Sequence, residues 1–281
     1  MSEIDPMLPA IDPSFPVSTV EALWTRLIYL GMLTSERLRL ALRAVASVDL
    51  ALAQSLQQRD PRLIALGQRI EEEARRLLAQ PGEGLAPSTS RLRLLCSLPL
   101  LVGILLQLAE EAGEIARLLL WLQGPTPPLL VSQQGQANGA TTASVLPVAA
   151  FFERLTLLGQ QASALTQATI GALARWDTQE AQRLWRRQRY FRCHLARLQH
   201  DLLTGLTTLA NERPGEQSGN GPGQRWFMLL WGFVSSLRDI SLQESALCER
   251  LVFLVEGLRD MRTLQRVARQ LQIRCPPEQV Q

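Results

Sequence analysis

Two stretches of this chain carry matching text. Asp49-Leu-Ala-Leu-Ala53-Gln54-Ser-Leu56 pairs with Asp177-Thr-Gln-Glu-Ala181-Gln182-Arg-Leu184. Each lies midway through a long helical pattern and leads into a charged helical segment. A strongly apolar helical segment follows in each half, ending at Trp121-Leu122 in the first and Phe253-Leu254 in the second. The period, about 130 residues, is several times that of a solenoid repeat. The repeating unit is therefore a whole bundle. The expected fold is all-α: two tandem three-helix bundles related by an internal pseudo-two-fold repeat.

Composition agrees with helix. Hydrophobic residues make up 46% of 281 positions, enough for two real cores, while aromatics are only 5%. Leu and Ala dominate, and straight-chain residues lose little rotamer freedom in helices. The net charge of +3 sets up no global field toward nucleic acid. Every basic side chain is Arg, a residue suited to bidentate contacts with oxyanions. Cys96, Cys193, Cys248 and Cys275 form no C-x-x-C pair and read as reduced thiols of a cytoplasmic protein. The first sixteen residues have acids and prolines but neither the basic nor the apolar region of a signal peptide. The apolar run from Leu94 to Ala109 falls short of the roughly 20 residues a membrane span needs, and it contains Pro99 and Gln107. It reads as a buried core helix.

The pattern along the chain divides it. Residues 1–16 form a Pro-rich arm, 17–124 a first bundle, 125–148 a Gly/Pro/Ser/Thr linker, and 149–273 a second bundle with a last amphipathic helix. Within the first bundle a helix over 18–48 is expected, with Thr34-Ser35 as a point of irregularity. The next runs from Asp49 to Gln80 with a break at Pro61. The third covers 88–124 and is bent at Pro99. In the second bundle the helices span 148–175, 177–211 and 224–257. Gly215–Gly223 lacks the Lys-Ser/Thr of a phosphate loop and has no strand before it, so it reads as a connector.

Three groups of residues invite a chemical reading. At about 100° per residue, Leu184, Phe191, Leu195, Leu198 and Leu202 make one apolar stripe, and Arg183, Arg186, Arg187 and Arg197 flank it. These arginines are the candidate surface for an acidic partner, against the plainer reading of a solvated helix face. His194 and His200 lie about 120° apart and form no ligand pair. Glu110 and Glu114 share a helical face with Glu111 between them, and Glu71, Glu72 and Glu73 are placed to face them. Such carboxylates hold a hard cation or iron, or else pair with Arg117 and Arg75. No nucleophile–base arrangement is present in recognisable form, so no enzyme activity is expected.

Taken together the segments resemble the PhoU family of phosphate-uptake regulators. The resemblance rests on Asp49-x-x-x-Ala53-x-x-Leu56-x-x-Arg59-Asp60, continuing to Leu77-Leu78-Ala79, then Ser90-x-Leu92-Arg93. It continues in Leu106-Gln-Leu-Ala-Glu110-Glu-Ala112-x-x-Ile115-Ala116. In the second half it rests on Leu237-Arg238-Asp239-Ile240-x-x-x-Glu244 and Phe253-Leu-Val-Glu256-Gly257. It covers about residues 20–124 and 150–257. It implies a non-enzymatic adaptor that contacts a phosphate ABC transporter ATPase, a phosphate-sensing histidine kinase, or both, with a homodimer also open. The family's third helices carry an acid-x-x-x-Asp metal motif. Here the matching positions are Leu106 and Glu110 in the first bundle and Arg238 and Leu242 in the second. The second helix keeps Asp60, but the next acid position is Ile64, and its counterpart in the second bundle is Arg187-Gln188, with Arg192 further on. The resemblance thus leaves Glu110 and Asp60 as the metal-ligand candidates. It implies no cofactor, with a divalent metal or iron open only in the first bundle. Two other readings stand beside the adaptor: a metal-dependent binding protein using the acidic face around Glu110, and a helical scaffold of unrelated function.

Overall fold

The computed structural model describes residues 20–79, 89–121, 146–212 and 222–257. The described residues are helical apart from short turns, and no strand is found among them. The first half contributes α1 (Val20–Ser47), α2 (Leu50–Leu56), α3 (Pro61–Ala79) and α4 (Thr89–Leu120). The second contributes α5 (Leu146–Arg175), α6 (Thr178–Glu212) and α7 (Pro222–Glu256). The all-α expectation holds. The N-terminal arm, most of the linker, the connector before α7, the expected last helix and Cys275 lie outside the described residues.

Each half closes on itself. In the first, α1, α3 and α4 all pack against one another and the short α2 fills the corner between α1 and α4. In the second, α5, α6 and α7 do the same. The halves then join like to like: first helix on first helix (α1 on α5) and last helix on last helix (α4 on α7). One continuous core results. Leu23, Leu30, Leu38, Leu98, Leu105 and Leu195 are fully buried in it, and each such side chain contributes about 1.5–3 kcal/mol.

The repeated text marks the same corner in both halves. Asp49 caps α2 by accepting the Leu52 amide at 2.9 Å. Asp177 caps α6 by accepting the Glu180 amide at the same distance. The residue before each cap sits in the left-handed region, Val48 at φ 52° and Trp176 at φ 57°. The Asp49 amide donates to Ala44 O at 2.8 Å, and the Asp177 amide to Ala172 O at 3.0 Å. A non-glycine residue at positive φ is strained. At Trp176 the strain aims the indole onto Trp24 of α1, with ring centroids 4.0 Å apart. That stack contributes beyond simple burial and ties the second half's first corner to the first helix of the chain.

Local details depart from the pattern in instructive ways. The expected irregularity at Thr34-Ser35 is absent, because α1 runs unbroken through it. The Thr34 hydroxyl, fully buried, donates to Leu105 O on α4 at 3.3 Å instead. Pro61 does break the second helix, and it does so as the first residue of α3, where its missing N–H costs nothing. Pro99 lies inside a continuous α4. By length and composition α4 is long and apolar enough to cross a membrane. Here it is the central helix of the protein, packed on α1, α2, α3 and α7.

Candidate functional site

The capped corners Asp49 and Asp177 set the repeat register for the first two helices of each half. In it Asp60 corresponds to Gln188 and Ile64 to Arg192. The last helices are set by burial. Leu98, Leu101, Leu105, Leu108, Ala112 and Ala116 are buried in α4, and Leu230, Phe233, Leu237, Ile240, Glu244 and Cys248 are buried with the same spacing in α7. Ala109 therefore answers to Ser241, Ala112 to Glu244, and Gly113 to Ser245. At this place, facing the second helix of each half, the two bundles differ in chemistry.

In the first bundle the place is a cleft of about 400 Å³ between the α2–α3 turn and α4. Arg37, Arg59, Asp60, Glu110, Glu114 and Arg117 line it, over a floor that includes Leu63, Ile64 and Leu106. Arg37 crosses from α1 to reach it. Its Nε donates to Ala109 O at 3.1 Å, and its Nη2 donates to Leu56 O at 2.6 Å and Gln58 O at 2.5 Å. One guanidinium thus ties α1, the α2–α3 turn and α4 together. Burial pushes the Arg37 pKa below the usual guanidinium value, and nearby Asp60 opposes that shift. A guanidinium starts so high that it stays charged. At the mouth Arg59 pairs with Glu110 at 2.9 Å, and Arg117 pairs with Glu114.

In the second bundle the same place is a closed polar network. Glu244 is buried, with one carboxyl oxygen bonded to the Thr166 hydroxyl and the other to the Gln188 amide. Gln188 Oε1 accepts from the Ser241 hydroxyl at 2.7 Å. Arg192 Nη1 donates to Ser241 O at 3.1 Å and to Ser245 Oγ at 2.6 Å. Burial pushes Glu244 up to about 8, against the hydrogen bond from Thr166 and the charge of Arg192. The Thr166 hydroxyl also donates to Ala162 O at 3.0 Å, so its one proton is shared between that carbonyl and the carboxyl.

The donor sets do not suit a hard cation, which takes six or more oxygens. Among the described residues no three carboxylate, histidine or cysteine side chains converge. Asp60 and Glu110, the two metal-ligand candidates, do border one cleft. There, however, Arg59 holds Glu110, and the Arg37 guanidinium lines the same cleft, bonded to three carbonyl oxygens. In the second bundle the matching positions offer Gln188, Arg192, Arg238 and Leu242.

The other sequence candidates fall as follows. Glu71 and Glu72 pair with Arg75 along α3 itself, and Glu73 with Arg76. They do not join Glu110. His194 and His200 are both exposed. The apolar stripe of α6 is core as expected, with Leu184, Phe191, Leu195, Leu198 and Leu202 buried. Arg183, Arg186, Arg187 and Arg197 are all exposed beside it, and Arg183 reaches Glu180 at 3.4 Å. Sequence reasoning missed Arg37, quoted Glu244 without singling it out, and named Gln188 only as the place of a lost acid. For Glu244 a signal existed: it stands at a core-phase position between Ile240 and Leu247. For Arg37 none did, since its value lies in carbonyls brought in from two other segments.

No family model matches the chain, and no curated protein does. Solved structures do. PhoU from Pseudomonas aeruginosa superposes with a TM-score of 0.63 at 22% identity, over 85% of this chain and 98% of that one. The phosphate transport system regulatory protein PhoU from Streptococcus pneumoniae superposes at 0.59 and 19%, over 85% of this chain and 96% of that one. The fold is PhoU-like. At these identities the likeness is one of architecture, and it spans both bundles.

Proposed function

We propose that this chain is a non-enzymatic adaptor in the regulation of phosphate uptake. It acts in the cytoplasm by docking on a phosphate ABC transporter ATPase, a phosphate-sensing histidine kinase, or both. The observation that carries the reading is the fold likeness over nearly the whole length of two PhoU chains, one of them a phosphate transport system regulatory protein. The surface of α6 supplies the contact: Arg183, Arg186, Arg187 and Arg197 stand exposed on a helix whose other side is locked into the core. Exposed guanidiniums of this kind recognise carboxylates on a partner, with strength that falls as salt rises. The reading needs no metal in the second bundle.

The test has two parts. Phosphate uptake is measured in the host with and without the gene, at low and high external phosphate. Tagged protein is then used to capture the transporter ATPase and the kinase, each produced separately. Unchanged uptake together with no capture of either partner removes the proposal.

A further inference from the structure

We propose that Arg37 is the first bundle's resident cation: its guanidinium holds α1, the α2–α3 turn and α4 together, and it keeps divalent metal out of the cleft. The inference does not depend on whether the chain regulates phosphate uptake.

In the second bundle a guanidinium from α6, that of Arg192, donates to Ser241 O on α7. In the first bundle the corresponding carbonyl is Ala109 O, and Arg37 Nε donates to it. The two arginines do not correspond to each other in sequence. Position 64, the counterpart of Arg192, is Ile, and the counterpart of Arg37 is Leu165, a buried apolar residue. Each bundle thus places a cation on the same carbonyl of its last helix, and each brings it from a different helix. A position filled twice by independent routes is one where the fold needs a positive group.

The identity of the Arg37 partners says why. They are three backbone carbonyls, Leu56 O, Gln58 O and Ala109 O, gathered by a guanidinium that lines the cleft. Carbonyls and carboxylates are the ligands of a hard cation, and Asp60 and Glu110 border the same cleft. Arg37 supplies all three with a charge-assisted donor from within the chain. Gly113 lies beside this arrangement, where a Cβ would stand 3.5 Å from Arg37 Nη2, in ordinary contact.

The experiment uses the full chain and Mn²⁺ alone as the probe, with melting temperature and equilibrium dialysis as readouts. Wild type is expected to melt at the same temperature with chelator and with Mn²⁺. Arg37→Ala is expected to lower the melting temperature by about 5 °C or more, since a charge-assisted cluster is lost. It is also expected to acquire saturable Mn²⁺ binding that raises its melting temperature again, and Asp60→Asn in the same background is expected to abolish that gain. Arg37→Lys keeps a charge without the fork. It is expected to melt at an intermediate temperature and to show no Mn²⁺ response. Wild type that loses stability in chelator, or binds Mn²⁺ in a manner removed by Asp60→Asn, overturns the proposal. So does an Arg37→Ala protein as stable as wild type or indifferent to Mn²⁺. If Arg37→Ala does not fold, the decision passes to wild type and Arg37→Lys, where any Mn²⁺ response dependent on Asp60 is the overturning result.

Discussion

Gly31 of α1 meets Ile170 of α5 across the seam between the bundles: a Cβ on Gly31 would lie 2.8 Å from Ile170 Cδ1. The repeat register makes Gly159 the counterpart of Gly31 and Leu42 the counterpart of Ile170. Those two meet as well, with a Cβ on Gly159 at 3.1 Å from Leu42 Cδ2. As numbers rise along α1 they fall along α5, so the helices run antiparallel. The seam is therefore isologous, the pattern of a two-fold dimer interface carried within one chain. Each glycine is there to let a branched side chain of the other bundle approach its helix backbone.

That geometry predicts a coupled cost. Gly31→Ala already crowds both Cδ1 and Cγ2 of the buried Ile170, so Ile170 must shift and the change should cost less than a larger side chain would. Gly31→Val overpacks the seam and should destabilise by about 1–3 kcal/mol. Adding Ile170→Ala should recover part of this, because the two residues share one volume. Gly159→Val with Leu42→Ala should behave the same way. Denaturant titrations of the two double-mutant cycles check it. Additive effects in both cycles would mean that the glycines do not face these partners.

Glu244 gives a pH signature. Its folded pKa of about 8 lies above the ordinary carboxyl value of 4.5, so the folded state holds the proton more tightly than the unfolded chain. The stability this provides is full below about pH 4.5 and is lost as pH rises toward and through 8. Wild type should therefore weaken by a few kcal/mol, in order of magnitude, across that window. Glu244→Gln keeps an uncharged amide beside Thr166 and Gln188 and should flatten most of the slope. A smaller slope of the same sign should remain from Glu111. That side chain is half-buried at the α4–α7 seam, and burial and Asp239 both push its pKa up, against a hydrogen bond with Ser236. Urea unfolding at several pH values measures both. An unchanged slope in Glu244→Gln would show that the carboxyl is not the group that titrates.

How much of this was legible in the sequence differs by scale. The corner at Asp49 and Asp177 was readable because a cap is a local device: its partners lie three residues away. The α6 core stripe was readable because its period is helical. The cleft was half readable. Asp60 and Glu110 stood out as acids on expected helices, and they do border one cavity. Their neighbours were not visible, because Arg37 arrives from α1 and Arg59 from the turn. Those contacts exist only once three helices are packed. Glu244 was quoted within a motif yet not singled out, although an acid in the phase of Leu237, Ile240 and Leu247 is a buried acid by spacing alone.

The second bundle should hold no stoichiometric iron, manganese or zinc. Gln188, Arg192, Arg238 and Leu242 stand where oxygen ligands would be required, and a guanidinium beside a cation is repulsive. Elemental analysis of the purified full chain decides this when paired with Asp60→Asn, which disables the first cleft. About one or more metal ions per chain surviving in Asp60→Asn would contradict it.

The row on α6 is the last point of contact with function. Arg183, Arg186, Arg187 and Arg197 are exposed within about a 100° arc, while the buried stripe from Leu184 to Leu202 fixes the helix to α5 and α7. Reversing the four charges leaves that stripe untouched. It does cost the Arg183–Glu180 pair, which is solvent-exposed and weak. A quadruple Arg→Glu variant should thus keep its helical circular dichroism and melt close to wild type. Capture of an acidic partner should fall by tenfold or more. Wild-type capture should itself weaken steeply between low and physiological salt, because exposed charges are screened beyond about 8 Å. The salt series separates charge recognition from mere misfolding of the variant, since it is read on the native protein. If the variant folds, captures the transporter ATPase or the kinase as wild type does, and restores phosphate regulation, α6 is a solvated face and the docking surface lies elsewhere on the bundles.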